Sequence, residues 1–296
     1  MGENVGNSNR ITRNYLDSLL IETRFTDSVN PDPTFSLFGQ TFDSPIMTAA
    51  LSHLNGMMFD GASQALAQGA ADANALFWLG MADEEEVESC AAITKGRMVE
   101  IIKPYTDRDI IYKKIEHAEK TGILAVGIDI DHPYAEDGSP DNVDGYELKA
   151  LTAVELAEIV KASKLPLIVK GVLSQYDADA ALRAGAGGML LSHHNNRIEF
   201  AIPPLYILPE ICKMAAGIMP VFADDEIQTG MDAFKALALG ATGVGIGRPL
   251  MTQIRKGGAQ AVTEYLQNAR NQLKKAMAFT GTRDLSHMDA TVIHRI

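Results

Sequence analysis

Cysteine is almost absent from this 296-residue chain: Cys90 and Cys212 are the only two, and they sit far apart. That excludes a disulfide framework and a cysteine-rich zinc pattern. Long hydrophobic runs are missing as well. The longest are strand-sized, well short of the ~18 residues a transmembrane helix needs. The first residues, MGENVGNSNRITRN, have no hydrophobic stretch of the secretory type. Basic residues are in the minority, 26 Lys and Arg against 38 Asp and Glu, for a net charge of −12. Such an acidic balance argues against nucleic acid or an anionic membrane as partner. No low-complexity block occurs, and 46% hydrophobic residues exclude disorder over most of the length. A cytoplasmic protein with a sizeable core is the expectation.

Eight short apolar runs punctuate the chain: Ser44–Ala50, Asn74–Gly80, Arg97–Lys103, Leu124–Ile130, Pro166–Gly171, Gly188–His193, Met219–Asp225 and Thr242–Arg248. Apolar on both faces, they read as parallel strands covered by helices. Helical patterns fall between them at 57–70, 83–93, 107–121, 152–163, 174–184, 204–216, 229–239 and 249–256, and a last one closes the chain at about 258–278. Eight β-α units in this length predict a single-domain (β/α)8 TIM barrel over 44–296, preceded by an N-terminal extension, 1–43, that caps the barrel's bottom or side. The thirteen methionines read as core filler. Asp83, Glu84, Glu85 and Glu86 read as the acidic start of a helix.

Chemistry in such a barrel gathers at the C-terminal ends of the strands. Lys170 ends the fifth, otherwise apolar strand, where a cation is costly unless it meets an anion. After the sixth strand comes Ser192-His193-His194-Asn195-Asn196-Arg197, pairing histidines that can take a proton with an arginine that can clamp a carboxylate. After the eighth, Gly245-Ile246-Gly247-Arg248 runs into Pro249, a natural first helical residue. Bare glycine N–H groups, a helix start and an arginine suit a phosphate. Asp129, Asp131 and His132 after strand four, His53 after strand one, and His193 or His194 offer ligand atoms for a metal, but no HxH or HxxxH spacing supports one.

The stretches LPLIVKGVLSQYDADAALRAGAGGMLLSHHNNR and PVFADDEIQTGMDAFKALALGATGVGIGRPL resemble the FMN-dependent α-hydroxy acid oxidase and dehydrogenase family, which includes glycolate and lactate oxidases. The resemblance is continuous from about 165 to 285 and colinear but weaker from about 15 to 131. It implies the same barrel, FMN as cofactor, a small hydroxy acid carrying a carboxylate as substrate, and a homotetramer. It makes His194 the base, Arg197 the carboxylate clamp and Lys170 the cation beside the flavin. It assigns flavin binding to Lys170, Ser192, Asp224, Gly245, Gly247 and Arg248, with no metal.

Several family positions differ. The family's phosphate segment DGGIRRG is here Asp224-Asp225-Glu226-Ile227-Gln228-Thr229-Gly230, so two acids replace the Gly-Gly pair and Gln228 an arginine. The QxYxY segment becomes Ile101, Lys103 and Tyr105, the arginine after Thr-Pro aligns with Tyr134, and the Gly-Gly of SNHGGR is Asn195-Asn196. These replacements leave two other readings open. One is a flavin-free lyase, isomerase or hydrolase, with or without a metal, using Asp129, Asp131, His132, His193, Asp225 and Glu226. The other is a non-catalytic relative.

Overall fold

The computed structural model describes residues 5–296. Eight parallel strands follow one another around a barrel: β1 (Ile46–Thr48), β2 (Phe77–Leu79), β3 (Met98–Ile102), β4 (Ala125–Asp129), β5 (Leu167–Val172), β6 (Gly188–Leu191), β7 (Val221–Ala223) and β8 (Gly243–Ile246). Seven lie inside the predicted runs, and β5 extends one residue, Val172, past its run. Lys170 pairs in register with Asp129 on one side and Leu190 on the other, which places three strand ends at one level.

The seam between β1 and β2 closes through a few bonds. Gly80 N–H donates to the Leu51 carbonyl at 3.0 Å, Thr48 N–H to Leu76 at 3.2 Å, and Trp78 N–H to Thr48 Oγ1 at 2.8 Å. Gly80 is required there, because a Cβ would stand 2.1 Å from Ser52 Oγ. Alternate side chains fill the lumen, among them Met47, Trp78, Ile168, Leu190 and Phe222. Trp78 and Phe222 meet edge to face at 5.5 Å.

Helices wrap the outside. Asp83 caps Glu84–Thr94 by accepting the Glu86 N–H, and Thr152 with Glu155 forms a capping box on Ala153–Ala162. The helix expected over 57–70 begins at Ala62, after a separate turn at Leu54–Met57. The last two predicted helices meet in one rod, Arg248–Phe279, bent where Gly257 and Gly258 leave helical geometry.

Residues before β1 act at both ends of the barrel. The hairpin Phe35–Leu37/Gln40–Phe42 sends Phe35, Leu37 and Phe42 into the lumen's apolar cluster. The helix Ser8–Ser18 instead lies against the loops that follow β6 and β7. Thr12 Oγ1 is 2.9 Å from His193 Nε2, Ser8 N–H donates to Asn196 Oδ1 at 2.6 Å, and Arg13 donates to the Glu226 carbonyl at 3.0 Å. Leu19–Ile21 pairs with Ile293–Arg295, joining the two ends of the chain.

Candidate active site

The strand ends deliver charge into a nearly dry layer. Asp129, 1% exposed, ends β4 between two ammonium groups: Lys103 Nζ at 2.5 Å and Lys170 Nζ at 2.8 Å. Burial alone would raise the Asp129 pKa, but Lys170 and then Lys103 hold it well below the ordinary range. Burial works against Lys170 too, and Asp129, Asp131 and Asp224 outweigh it, so its pKa is raised. Lys103 goes the other way. Burial lowers its pKa, and repulsion from Lys170 offsets part of the pull of Asp129.

From this triad the polar network continues in both directions. Lys103 Nζ meets His132 Nδ1 at 2.8 Å, and His132 Nε2 meets Asp141 Oδ2 at 2.9 Å. An ammonium can only donate, so Nδ1 accepts and we assign the His132 proton to Nε2. Burial first, then Lys103 and Arg197, push the His132 pKa down to about 4, and the ring is neutral. Asp141 Oδ2 also receives Arg197 Nη2 at 2.5 Å, and the same nitrogen donates to the Tyr134 carbonyl. On the other side, Lys170 Nζ lies 3.3 Å from His194 Nδ1, which is 2.9 Å from Asp131 Oδ1. Burial, reinforced by Asp129, raises the Asp131 pKa against the pull of Lys170.

Thus Lys170, His194 and Arg197, predicted to share one mouth, lie along a single polar network. The six predicted cofactor residues also assemble. Lys170, Ser192, Asp224, Gly245, Gly247 and Arg248 line one cavity of about 670 Å³, together with His194, Asp225 and Glu226. A second cavity, about 940 Å³, opens beside it between Asp131, Tyr134, Gly171 and Arg197.

Two expectations for individual histidines fail. His53 faces a different cavity and comes only within 3.9 Å of Asp144. His193 is buried behind the loop, with Asn196 N–H donating to Nδ1 at 3.2 Å and Thr12 at Nε2. Burial lowers its pKa against the pull of Asp225. Asp129, His132 and His194 do place ligand atoms within 4.8 Å of one another. The Lys103 and Lys170 ammonium groups already engage the lone pairs a divalent ion would need.

The replacements of family glycines have a backbone reason. His194, Asn195 and Asn196 are left-handed, at φ of 51°, 55° and 68°, and so are Asp225 at 60° and Glu226 at 59°. Asn and Asp tolerate this region best among residues with a Cβ, whereas for Glu it costs roughly 1–2 kcal/mol. The local chain path therefore survives without glycine. Asp225 also staples the β6 loop, accepting the His193 N–H at 2.5 Å, the Asn195 N–H at 3.1 Å and the Ser192 hydroxyl at 3.2 Å. Sequence reasoning placed Asp225 near the cofactor but missed this role, and it missed Asp141 and Thr12. Asp141 lies in a loop far along the chain from Arg197, and nothing in its neighbourhood marks it.

A flavin suits the larger features of the first cavity. Asp224 Oδ1 is buried there with no hydrogen-bond partner among the described residues. Burial, then repulsion by Asp225, raises the Asp224 pKa well above its ordinary value, against the pull of Lys170. A Cβ on Gly245 would come within 3.2 Å of Ala49 and 3.3 Å of Asp224, filling the cradle. The phosphate end differs: Glu226 pairs directly with Arg248.

Fold and mouth together define a barrel enzyme. The profile of the family described as FMN-dependent dehydrogenase matches residues 2–153 and 136–295, and the chain belongs to that family of flavin oxidoreductases. Glycolate oxidase of Spinacia oleracea is 28% identical, with 95% of this chain and 86% of that protein aligned. L-lactate oxidase of Lactobacillus jensenii is 29% identical over 93% of this chain and 75% of its own. A crystal structure of mandelate oxidase with (S)-2-phenylpropionate superposes with a TM-score of 0.86 at 24% identity, covering 100% of this chain and 91% of that one, a likeness of fold.

Proposed function

We propose that this protein oxidises a small α-hydroxy acid to the 2-oxo acid with FMN as the acceptor. The observation that carries the reading is the polar network Arg197–Asp141–His132–Lys103–Asp129–Lys170, with the His194–Asp131 pair beside Lys170, which gathers clamp, cation and base around adjoining cavities. When bound, the flavin supplies a two-electron hydride acceptor.

The residues divide the remaining work. With Nδ1–H donated to Asp131, His194 keeps its Nε2 lone pair for the substrate hydroxyl proton. Asp131 then faces the imidazolium that forms. Lys170, held cationic by its carboxylates, favours negative charge developing on a ring beside it. Arg197 uses Nη2 for Asp141 and Tyr134, which leaves its Nη1 group to meet a substrate carboxylate. Ser192, Asp224, Gly245, Gly247 and Arg248 hold the cofactor.

The test is the visible flavin absorbance of the purified protein, followed by anaerobic bleaching with glycolate, lactate and mandelate. Bleaching by one of them, lost in His194→Asn with the flavin retained, supports the proposal. Absence of flavin affinity after incubation with excess FMN and with excess riboflavin refutes it. By the same resemblance we infer a homotetramer, and from the composition a cytoplasmic setting. The low cysteine content favours that compartment, and light scattering of the native protein tests the assembly.

A further inference from the structure

The end of the cavity beside β8 is built for an anion. Gly247 precedes the helix Arg248–Phe279, whose first turn has no side-chain cap, and Pro249 stands at its start. Arg248 adds a cation. The anion already there belongs to the protein. The Glu226 carboxylate, only 6% exposed, pairs with Arg248, while its second oxygen accepts from Gln228 Nε2 at 2.8 Å and Arg13 holds its carbonyl at 3.0 Å. Glu226 keeps this place although its backbone is left-handed, a conformation that glutamate disfavours. Three neighbouring groups therefore fasten a strained residue in the cradle.

We propose that Glu226 is a resident substitute for the cofactor phosphate and sets the cavity's discrimination between phosphorylated and unphosphorylated flavin. The inference rests on the flavin reading of the same cavity. A phosphate dianion entering the cradle must separate Glu226 from Arg248 and then lie beside the freed carboxylate, with Asp225 also on the cavity wall. A flavin ending in a hydroxyl meets no such repulsion and can share the Glu226 carboxylate as a hydrogen-bond acceptor. The other cations at this mouth are likewise paired with carboxylates, Lys170 with Asp129 and Arg197 with Asp141.

The experiment titrates flavin-free protein separately with FMN and with riboflavin and reads each dissociation constant from flavin fluorescence quenching. The wild-type protein should hold riboflavin at least as tightly as FMN. In E226Q the ratio should move toward FMN by at least about tenfold, with riboflavin affinity nearly unchanged. E226G relieves the left-handed strain, so it folds if E226Q does not, and it should shift the ratio the same way. A wild-type preference for FMN of tenfold or more, or an unchanged ratio in both variants, overturns the assignment of Glu226 and leaves the flavin function standing. Failure of every form to bind either flavin overturns both.

Discussion

Replacing Asp129 by Asn would remove the only full negative charge lying directly between two buried ammonium groups. The carboxylate makes charge-assisted bonds of 2.5 Å to Lys103 and 2.8 Å to Lys170. Each such bond contributes about 1.5–3 kcal/mol, and breaking a buried pair from one side costs about 3–5 kcal/mol. Asn can still accept from one lysine, so we expect D129N to lose about 3–4 kcal/mol near neutral pH. The loss should depend on pH with a definite sign. Lys103 already has a lowered pKa in the folded state, and loss of Asp129 lowers it further. The unfolded chain then binds a proton that the folded variant has released, so the variant's stability rises with pH above the folded Lys103 pKa. Urea unfolding of wild type and D129N from pH 6 to 9 should show the deficit shrinking toward alkaline pH. The double variant K103M/D129N should recover part of it at pH 6. A deficit under about 1 kcal/mol, or one that is flat with pH, would refute the charge-triad argument.

Asp225→Ala should destabilise the protein by about 1–3 kcal/mol and speed amide exchange at His193 and Asn195, whose N–H groups lose their acceptor; unchanged exchange would remove its stapling role. Gly80→Ala should lower the unfolding midpoint, with a cost of about 1–3 kcal/mol, because the added methyl meets Ser52 Oγ and the Leu51 backbone at the barrel seam; thermal melting measures it. His194→Asn should retain the fold by circular dichroism and lose about 10²–10⁴-fold in turnover of the best hydroxy acid. Arg197→Lys should raise KM more than it lowers kcat, because an ammonium cannot reproduce the planar group that holds Asp141 and Tyr134 while presenting Nη1 to a carboxylate; an unchanged KM would take Arg197 out of substrate binding.

The barrel was legible because all eight strands are buried on both faces, a pattern short enough to read without long-range information. The Gly257-Gly258 break was equally local. At the mouth, Lys170, His194 and Gly247 stood out because a polar or bare residue ends an apolar run. Asp141 did not, since its importance lies in reaching Arg197, 56 positions away, across a loop with no periodicity. The helix Ser8–Ser18 was unreadable for the same reason: Thr12 and Arg13 matter through contacts made 181 and 213 positions later. The acids at 225 and 226 were visible as departures, but only their φ values explain why the backbone accepts them and what each side chain grips.

The placement of Ser8–Ser18 has a bearing on how the molecule is made. On a ribosome this helix emerges long before Asn196, His193 and Glu226, against which it rests, and Leu19 waits for Arg295. This helix therefore has to stay unclaimed while the barrel winds up behind it, and a working mouth is among the last parts to be assembled. A bulky fusion placed directly ahead of residue 8 would sit next to the reaction centre, because Ser8 N–H meets Asn196 there.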